Sequence, residues 1–147
     1  MKNLNPPTFM LLCLLSIMVL HLLLPLWLFS SWIFMILGIG FIMSGIVVGV
    51  AAESQFRQSG TTVDPWGIPV KLVTDGWFGS SRNPMYLSFG LMLMGAWLAL
   101  GSMSSLVVLI AYIFFTERRY IFPEEKRLGQ IFGRQYEAYR LRTRRWL

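Results

Sequence analysis

Apolar positions in this chain come in long unbroken runs rather than in alternation or narrow stripes. Residues 9–29 form the first and residues 32–52 the second, each 21 residues long. That is the length of helix needed to cross a hydrocarbon core of about 30 Å. A third run, residues 83–116, holds 34 residues with no charged side chain, bracketed by Arg82 and Glu117. As one helix it would extend about 51 Å at ~1.5 Å per residue, too long for a single crossing. The cluster Gly101-Ser102-Met103-Ser104-Ser105 is where the run folds into a hairpin. The pattern predicts spans over residues 9–29, 32–52, 84–100 and 104–120, the last lengthened if Arg118 and Arg119 snorkel to the headgroups.

Local signals refine these elements. Pro25 bends or ends the first helix, and Ser30-Ser31 makes a tight turn. Gly38, Gly40, Gly45 and Gly49 lie in the second span. The four-residue spacing of Gly45 and Gly49, with Ser44 beside them, suits close packing against another helix of the same chain. Asn83-Pro84 opens the third span as an N-cap followed by a first-turn proline. Residues 53–82 are the one long polar connection, with turn formers at Gly60-Thr61-Thr62, Asp64-Pro65-Trp66-Gly67 and Thr74-Asp75-Gly76-Trp77. A connection of this length is often functional and reads as an ordered flap over a site, with Trp66, Trp77 and Phe78 suited to the headgroup layer. After Pro123, Leu128, Phe132, Tyr136 and Tyr139 mark one apolar face of an amphipathic helix, weakened by Gly129 and Gly133.

Composition and charge place these elements. The chain has 147 residues, 55% hydrophobic and 14% charged, against about 25% charged in soluble domains. No charge occurs between Lys2 and Glu53, and nine of the 13 Lys and Arg lie from Arg118 onward. The net charge of +6 does not point to nucleic acid, because the basic residues flank apolar spans and face anionic lipid. The turns at Ser30-Ser31 and at residues 101–105 carry no Lys or Arg. The positive-inside rule therefore puts both ends of the chain and the long connection in the cytoplasm. The fold expected is an all-α membrane protein of one domain, with four transmembrane helices and a cytoplasmic amphipathic helix after them.

Chemistry is sparse. Cys13 lies inside an apolar run with no second cysteine, and no metal-ligand cluster accompanies it. His21 has no ionisable partner within reach and reads as a neutral, hydrogen-bonded residue. What remains are two segments that the hairpin brings to one membrane face: Arg82-Asn83-Pro84-Met85-Tyr86, and Glu124-Glu125 followed by Phe132-Gly133, Tyr136 and Tyr139.

These segments, with Leu72-Val73-Thr74-Asp75-Gly76 and Arg145-Trp146, resemble the isoprenylcysteine carboxyl methyltransferase family, part of a broader group with the phospholipid methyltransferases. The resemblance runs from about residue 56 onward. It implies an integral-membrane enzyme that uses S-adenosylmethionine, with S-adenosylhomocysteine as product, on a lipophilic or amphiphilic acceptor. The acceptor could be a prenylcysteine carboxylate, a lipid amine or a small thiol. It also implies cofactor-site segments at residues 72–86 and 120–147. Cofactor contacts would come from Leu72, Val73, Gly76, Arg82, Asn83, Pro84, Tyr86, Tyr120, Glu124 and Glu125, with Arg82 and Glu125 closest to the chemistry. Many members have histidine where this chain has Asn83, whose amide binds but does not ionise. The sequence has no G-x-G-x-x-G loop after a strand, as expected for a cofactor held at the membrane face. A multi-pass protein of a bacterial inner membrane is the expected setting. Two rivals remain: a binding protein or scaffold that kept the fold without catalysis, and a small transporter. The transporter would need ionisable groups in its spans, where only His21 qualifies.

Overall fold

Prolines set both ends of the first helix. The computed structural model describes residues 4–29, 31–60 and 69–147. In it α1 covers Pro6–Leu23, earlier at both ends than the run of apolar residues suggested. Pro6 and Pro7 occupy the first turn, where no N–H is required, and Pro25 drives the residue before it out of the helical region. Helix α2 spans Trp32–Gln58, starting where expected but ending six residues later than residue 52. Its polar extension is held by an i,i+4 pair, Arg57 to Glu53 at 2.8 Å. Ser31 caps α2 by accepting from the Ile33 N–H at 3.4 Å. The expected turn residue Ser30 and the turn clusters at residues 61–67, with Trp66, lie outside the described residues.

A short helix α3, Trp77–Ser80, precedes α4, Pro84–Leu100, which matches the third predicted span. Gly101 ends α4 in the left-handed conformation (φ 65°), where glycine carries no Cβ penalty. A 3-10 turn, Met103–Ser105, leads into α5, Leu106–Thr116. The chain then stays helical through a π-helical turn, Glu117–Ile121, and α6, Phe122–Phe132. In the π turn the Phe122 N–H bonds Glu117 O, five residues back. The wider turn also relieves the next one, where Pro123 has no N–H to give and its ring would crowd the carbonyl four residues earlier. The amphipathic helix expected after Pro123 is two helices. Gly133 takes φ 49°, and α7, Arg134–Arg142, starts beyond this corner.

Helices α1 and α2 are long and apolar enough to cross a membrane, and α4 is a shorter apolar helix of 17 residues. Their packing is inverted relative to a water-soluble helix. On α2 the buried positions include Gly38, Gly45 and Ala52, while Ile36, Leu37, Met43 and Val47 point outward. Such a surface suits an apolar surrounding. Helix α2 lies along α4 through a seam of small residues. A Cβ on Gly38 would stand 2.6 Å from Gly95 O, and one on Gly45 would stand 2.7 Å from Ser88 O. The glycines therefore serve packing within the chain, as expected, except Gly40, which faces open space. On the other side of α4, Leu93 packs with Cys13 and Ile17 of α1 and with Leu109 and Tyr112 of α5.

The two apolar turns meet at one end of the molecule. Phe29 N donates to Gly101 O at 2.9 Å and Met103 N to Leu26 O at 3.1 Å. The polar segments gather at the opposite end.

Candidate functional site

At the polar end a cavity of about 450 Å³ opens between α2, α4, α6 and the stretch before α3. Its size is that of a small-molecule site. One part is apolar and runs along the glycine seam, past Gly45, Ile46, Gly49, Val50 and Met92. The other part is polar, with Glu53, Lys71, Arg82, Asn83, Glu124 and Arg127. Leu72, Val73 and Phe78 roof it, and Val73 and Phe78 are themselves buried against Ala52 and Phe56. The described part of the long connection thus contributes Leu72, Val73 and Phe78 to the cavity lining.

Arg82 is the most constrained side chain here, with 8% of its side chain exposed. Its Nη2 donates to Glu125 Oε1 at 2.7 Å. Its Nη1 donates to Thr143 O at 2.9 Å and Arg140 O at 3.1 Å. Its Nε is buried without a hydrogen-bond partner. The carboxylate that meets Arg82 is shared: Arg145 Nη2 donates to Glu125 Oε2 at 2.8 Å and Arg145 Nε to Oε1 at 3.2 Å. Desolvation pushes the Glu125 carboxyl up, but the hydrogen bonds from Arg145 and Arg82 outweigh it and hold the group below its usual range. The same contact with Glu125 raises Arg145 above its ordinary value.

Glu124, its neighbour, has the opposite electrostatics. It lines the cavity and accepts from Tyr86 Oη at 3.3 Å. Desolvation pushes its carboxyl up to about 7. The Tyr86 hydrogen bond and Arg127 lower it, and the Glu125 charge raises it further. Two adjacent carboxyls thus differ in state near neutral pH, one ionised and clasped, the other poised to take or lose a proton.

Tyr86 is backed by an aromatic stack. Its ring lies 6.0 Å from Tyr120 with 18° between planes, and Phe9 lies 6.1 Å beyond Tyr120. Tyr112 closes the group by donating to Tyr86 O at 2.8 Å. Tyr120 Oη donates to Leu4 O at 2.9 Å, which brings Pro6 and Pro7 to the cavity wall.

Of the residues singled out from sequence, Leu72, Val73, Arg82, Asn83, Pro84, Tyr86 and Glu124 line the cavity. Gly76, Tyr120 and Glu125 stand behind it. Gly76 takes φ 54°, and a Cβ there would sit 2.7 Å from the Gln55 carboxamide. That carboxamide ties the flap down, donating to Asp75 O at 2.8 Å and accepting from Trp77 N at 3.1 Å. Asn83 sits at the start of α4 but makes no side-chain cap. Its amide instead donates to Arg145 O at 3.1 Å, because the segment after α7 passes directly beneath it. Gln55, Lys71, Pro6 and Pro7 were not foreseen. Nothing in their own neighbourhoods marks them, since each reaches the site through packing of distant segments.

The arrangement offers a buried cationic fork, a carboxyl near its titration point, aromatic faces and an apolar groove. It suits a molecule with a carboxylate, an amino group and a flat ring, beside a second molecule with an apolar tail.

A model of the phospholipid methyltransferase family matches residues 33–135 of the chain. Over 71 residues the chain is 38% identical to a protein-S-isoprenylcysteine O-methyltransferase of Schizosaccharomyces pombe, a stretch covering 47% of this chain and 29% of that protein. The chain therefore matches under a third of that relative's length. No solved structure matches it.

Proposed function

The chain belongs to the phospholipid methyltransferase family, and from that premise we propose that it transfers a methyl group from S-adenosylmethionine to a lipophilic or amphiphilic acceptor at the cytoplasmic membrane face. The single observation that carries this reading is the two-part cavity. Its lining holds Arg82, Tyr86 and Glu124 together with the apolar Ile46, Val50 and Met92.

The residues fit the cofactor's chemistry. The unpartnered Nε of Arg82 is a donor for a carboxylate. Glu124, ionised, accepts from an ammonium or a ribose hydroxyl, and Tyr86 offers an aromatic face to adenine or to a cation. When bound, the cofactor supplies an electrophilic methyl group, which passes to the acceptor nucleophile and leaves S-adenosylhomocysteine. The protein's part is to place the two molecules in line and exclude water. A carboxylate or thiolate acceptor needs no base. An amine acceptor gives up a proton, and Glu124, near its titration point, receives it. Asn83 is committed to Arg145 O and holds backbone rather than moving a proton.

Four crossings complete the reading, α1, α2, α4 and the helix from the 3-10 turn through the π turn, with both ends of the chain in the cytoplasm. The apolar part of the cavity, past Ile46, Val50 and Met92, takes the acceptor's tail from the lipid side, so the membrane spans supply the substrate. The resemblance to the fission-yeast enzyme supports a prenylcysteine-like carboxylate as one acceptor, beside lipid amines and small thiols. The test is incubation with methyl-labelled S-adenosylmethionine and native lipid extract. Label is expected in a lipophilic product, and no binding of S-adenosylmethionine or S-adenosylhomocysteine by the purified protein would overturn the reading. A non-catalytic binding role predicts binding without label transfer.

A further inference from the structure

We propose that Arg145 is a positioning residue: by sharing Glu125 it keeps that carboxylate from closing on Arg82, and so holds the Arg82 Nε free for an anionic group of the bound molecule. This rests on the cavity being the cofactor site.

The backbone of the segment after α7 is tied to the three residues before α4. Arg82 N donates to Arg144 O at 2.9 Å. Ser81 Oγ donates to Arg145 O at 3.2 Å, and Asn83 Nδ2 reaches the same carbonyl at 3.1 Å. These bonds, with the two carbonyls taken by Arg82 Nη1, fix where the Arg82 guanidinium lies. They do not fix how Glu125 meets it. A carboxylate facing a lone guanidinium settles into the bidentate arrangement, two parallel N–H···O bonds. With Nη1 occupied by carbonyls, the bidentate edge left on Arg82 is Nη2 with Nε. Glu125 does not adopt it. Its Oε1 bonds Nη2 of Arg82, while its Oε2 is drawn to Arg145 Nη2 at 2.8 Å. Arg145 is anchored in turn, over the Phe122 ring at 4.7 Å and 3.6 Å from Glu117, which also accepts from Trp146 Nε1 at 2.9 Å. Two guanidiniums share one carboxylate, and Arg82, which lines the cavity, keeps one donor without a partner.

Removal of Arg145 frees Glu125 to rotate onto Arg82 and cover Nε. The defect then comes from an unwanted contact, and removing Glu125 as well should repair it in part. A purely structural role for Arg145 predicts the reverse, since losing both partners would loosen the segment further.

The experiment compares wild type, Arg145→Ala and Arg145→Ala/Glu125→Ala in detergent micelles. It reads S-adenosylhomocysteine affinity by calorimetry and amide exchange of residues 140–147 without ligand. Arg145→Ala should weaken binding by about tenfold or more, with exchange in α1 and α2 unchanged. The double variant should recover part of that loss. Wild-type affinity in Arg145→Ala, or a double variant no better than the single one, overturns the proposal. If wild type binds no S-adenosylhomocysteine, the cofactor reading fails by itself. The tie between Arg82 and the segment is then judged on exchange: Arg82→Ala should release the amides of residues 140–147, and unchanged exchange there overturns it too.

Discussion

Arg82 and Glu125 lie 43 residues apart in the chain, and their side chains meet at 2.7 Å. The contact exists because the α4–α5 hairpin returns the chain to the end from which it left. It joins the start of one apolar helix to the first turn of α6. It also determines which carboxylate can serve a ligand, since Glu125 is held by two arginines and Glu124 is not.

Glu125→Ala should therefore act first on stability. It leaves Arg82, with 8% of its side chain exposed, without its ion-pair partner, while Arg145 keeps Glu117 at 3.6 Å. Loss of one partner from such a pair costs about 2–4 kcal/mol, read as an earlier unfolding midpoint in a denaturing-detergent titration. The ion pair's contribution is fully present above the usual carboxylate pKa of 4.5, because the folded group is held below that value. It disappears as pH falls through the folded pKa. The gap between wild type and variant should accordingly close on acidification.

Glu124 carries the opposite sign. Its folded pKa of about 7 stands above the ordinary 4.5. The stability favouring its neutral form is complete below 4.5 and lost as pH rises through about 7. Glu124→Gln should thus melt higher than wild type at pH 8 and no higher at pH 4. For ligand binding the direction reverses, since a cation on Glu124 requires the ionised form. S-Adenosylhomocysteine affinity should rise between pH 6 and 8 in wild type and lose most of that slope in the variant. A slope that survives Glu124→Gln would remove Glu124 from the binding site.

Gly45→Ala tests the seam. The added methyl would stand 2.7 Å from Ser88 O, a backbone atom that cannot rotate away. Separating α2 from α4 should cost about 1–3 kcal/mol and distort the cavity's apolar groove. Gly40→Ala, on the same helix but with nothing within 4 Å, is the control and should be neutral or slightly stabilising. Thermal unfolding in one detergent reads both.

Tyr139→Phe removes a buried hydroxyl that donates to Phe78 O at 2.6 Å. The carbonyl left unsatisfied costs about 1–3 kcal/mol. Because this bond ties α7 to α3, amide exchange should rise in residues 77–81 and leave α1 unchanged.

Much of the architecture was legible before any coordinates. Runs of apolar residues located the helices, because in lipid the backbone must satisfy itself and a helix is the simplest way to do so. Gly101 and Pro84 marked the ends of α4 because each suits a backbone conformation that does not depend on distant neighbours. The motif residues Arg82, Tyr86 and Glu124 were legible as a group, and all three line the cavity. The breaks at Glu117 and Gly133 escaped, since apolar periodicity is indifferent to one extra residue in a turn or to a corner between two short helices.

The sequence by itself determined a helical membrane chain with its polar chemistry at one end, because local burial and backbone preference are written in single residues and their neighbours. Only the tertiary structure decided who holds whom. Glu125 faces Arg145 as well as Arg82, Asn83 bonds a passing carbonyl rather than capping its helix, and Gln55 pins a flap twenty residues ahead. Each is a pairing between segments distant in the chain. Such pairings depend on how distant segments pack, which no single residue and its neighbours record.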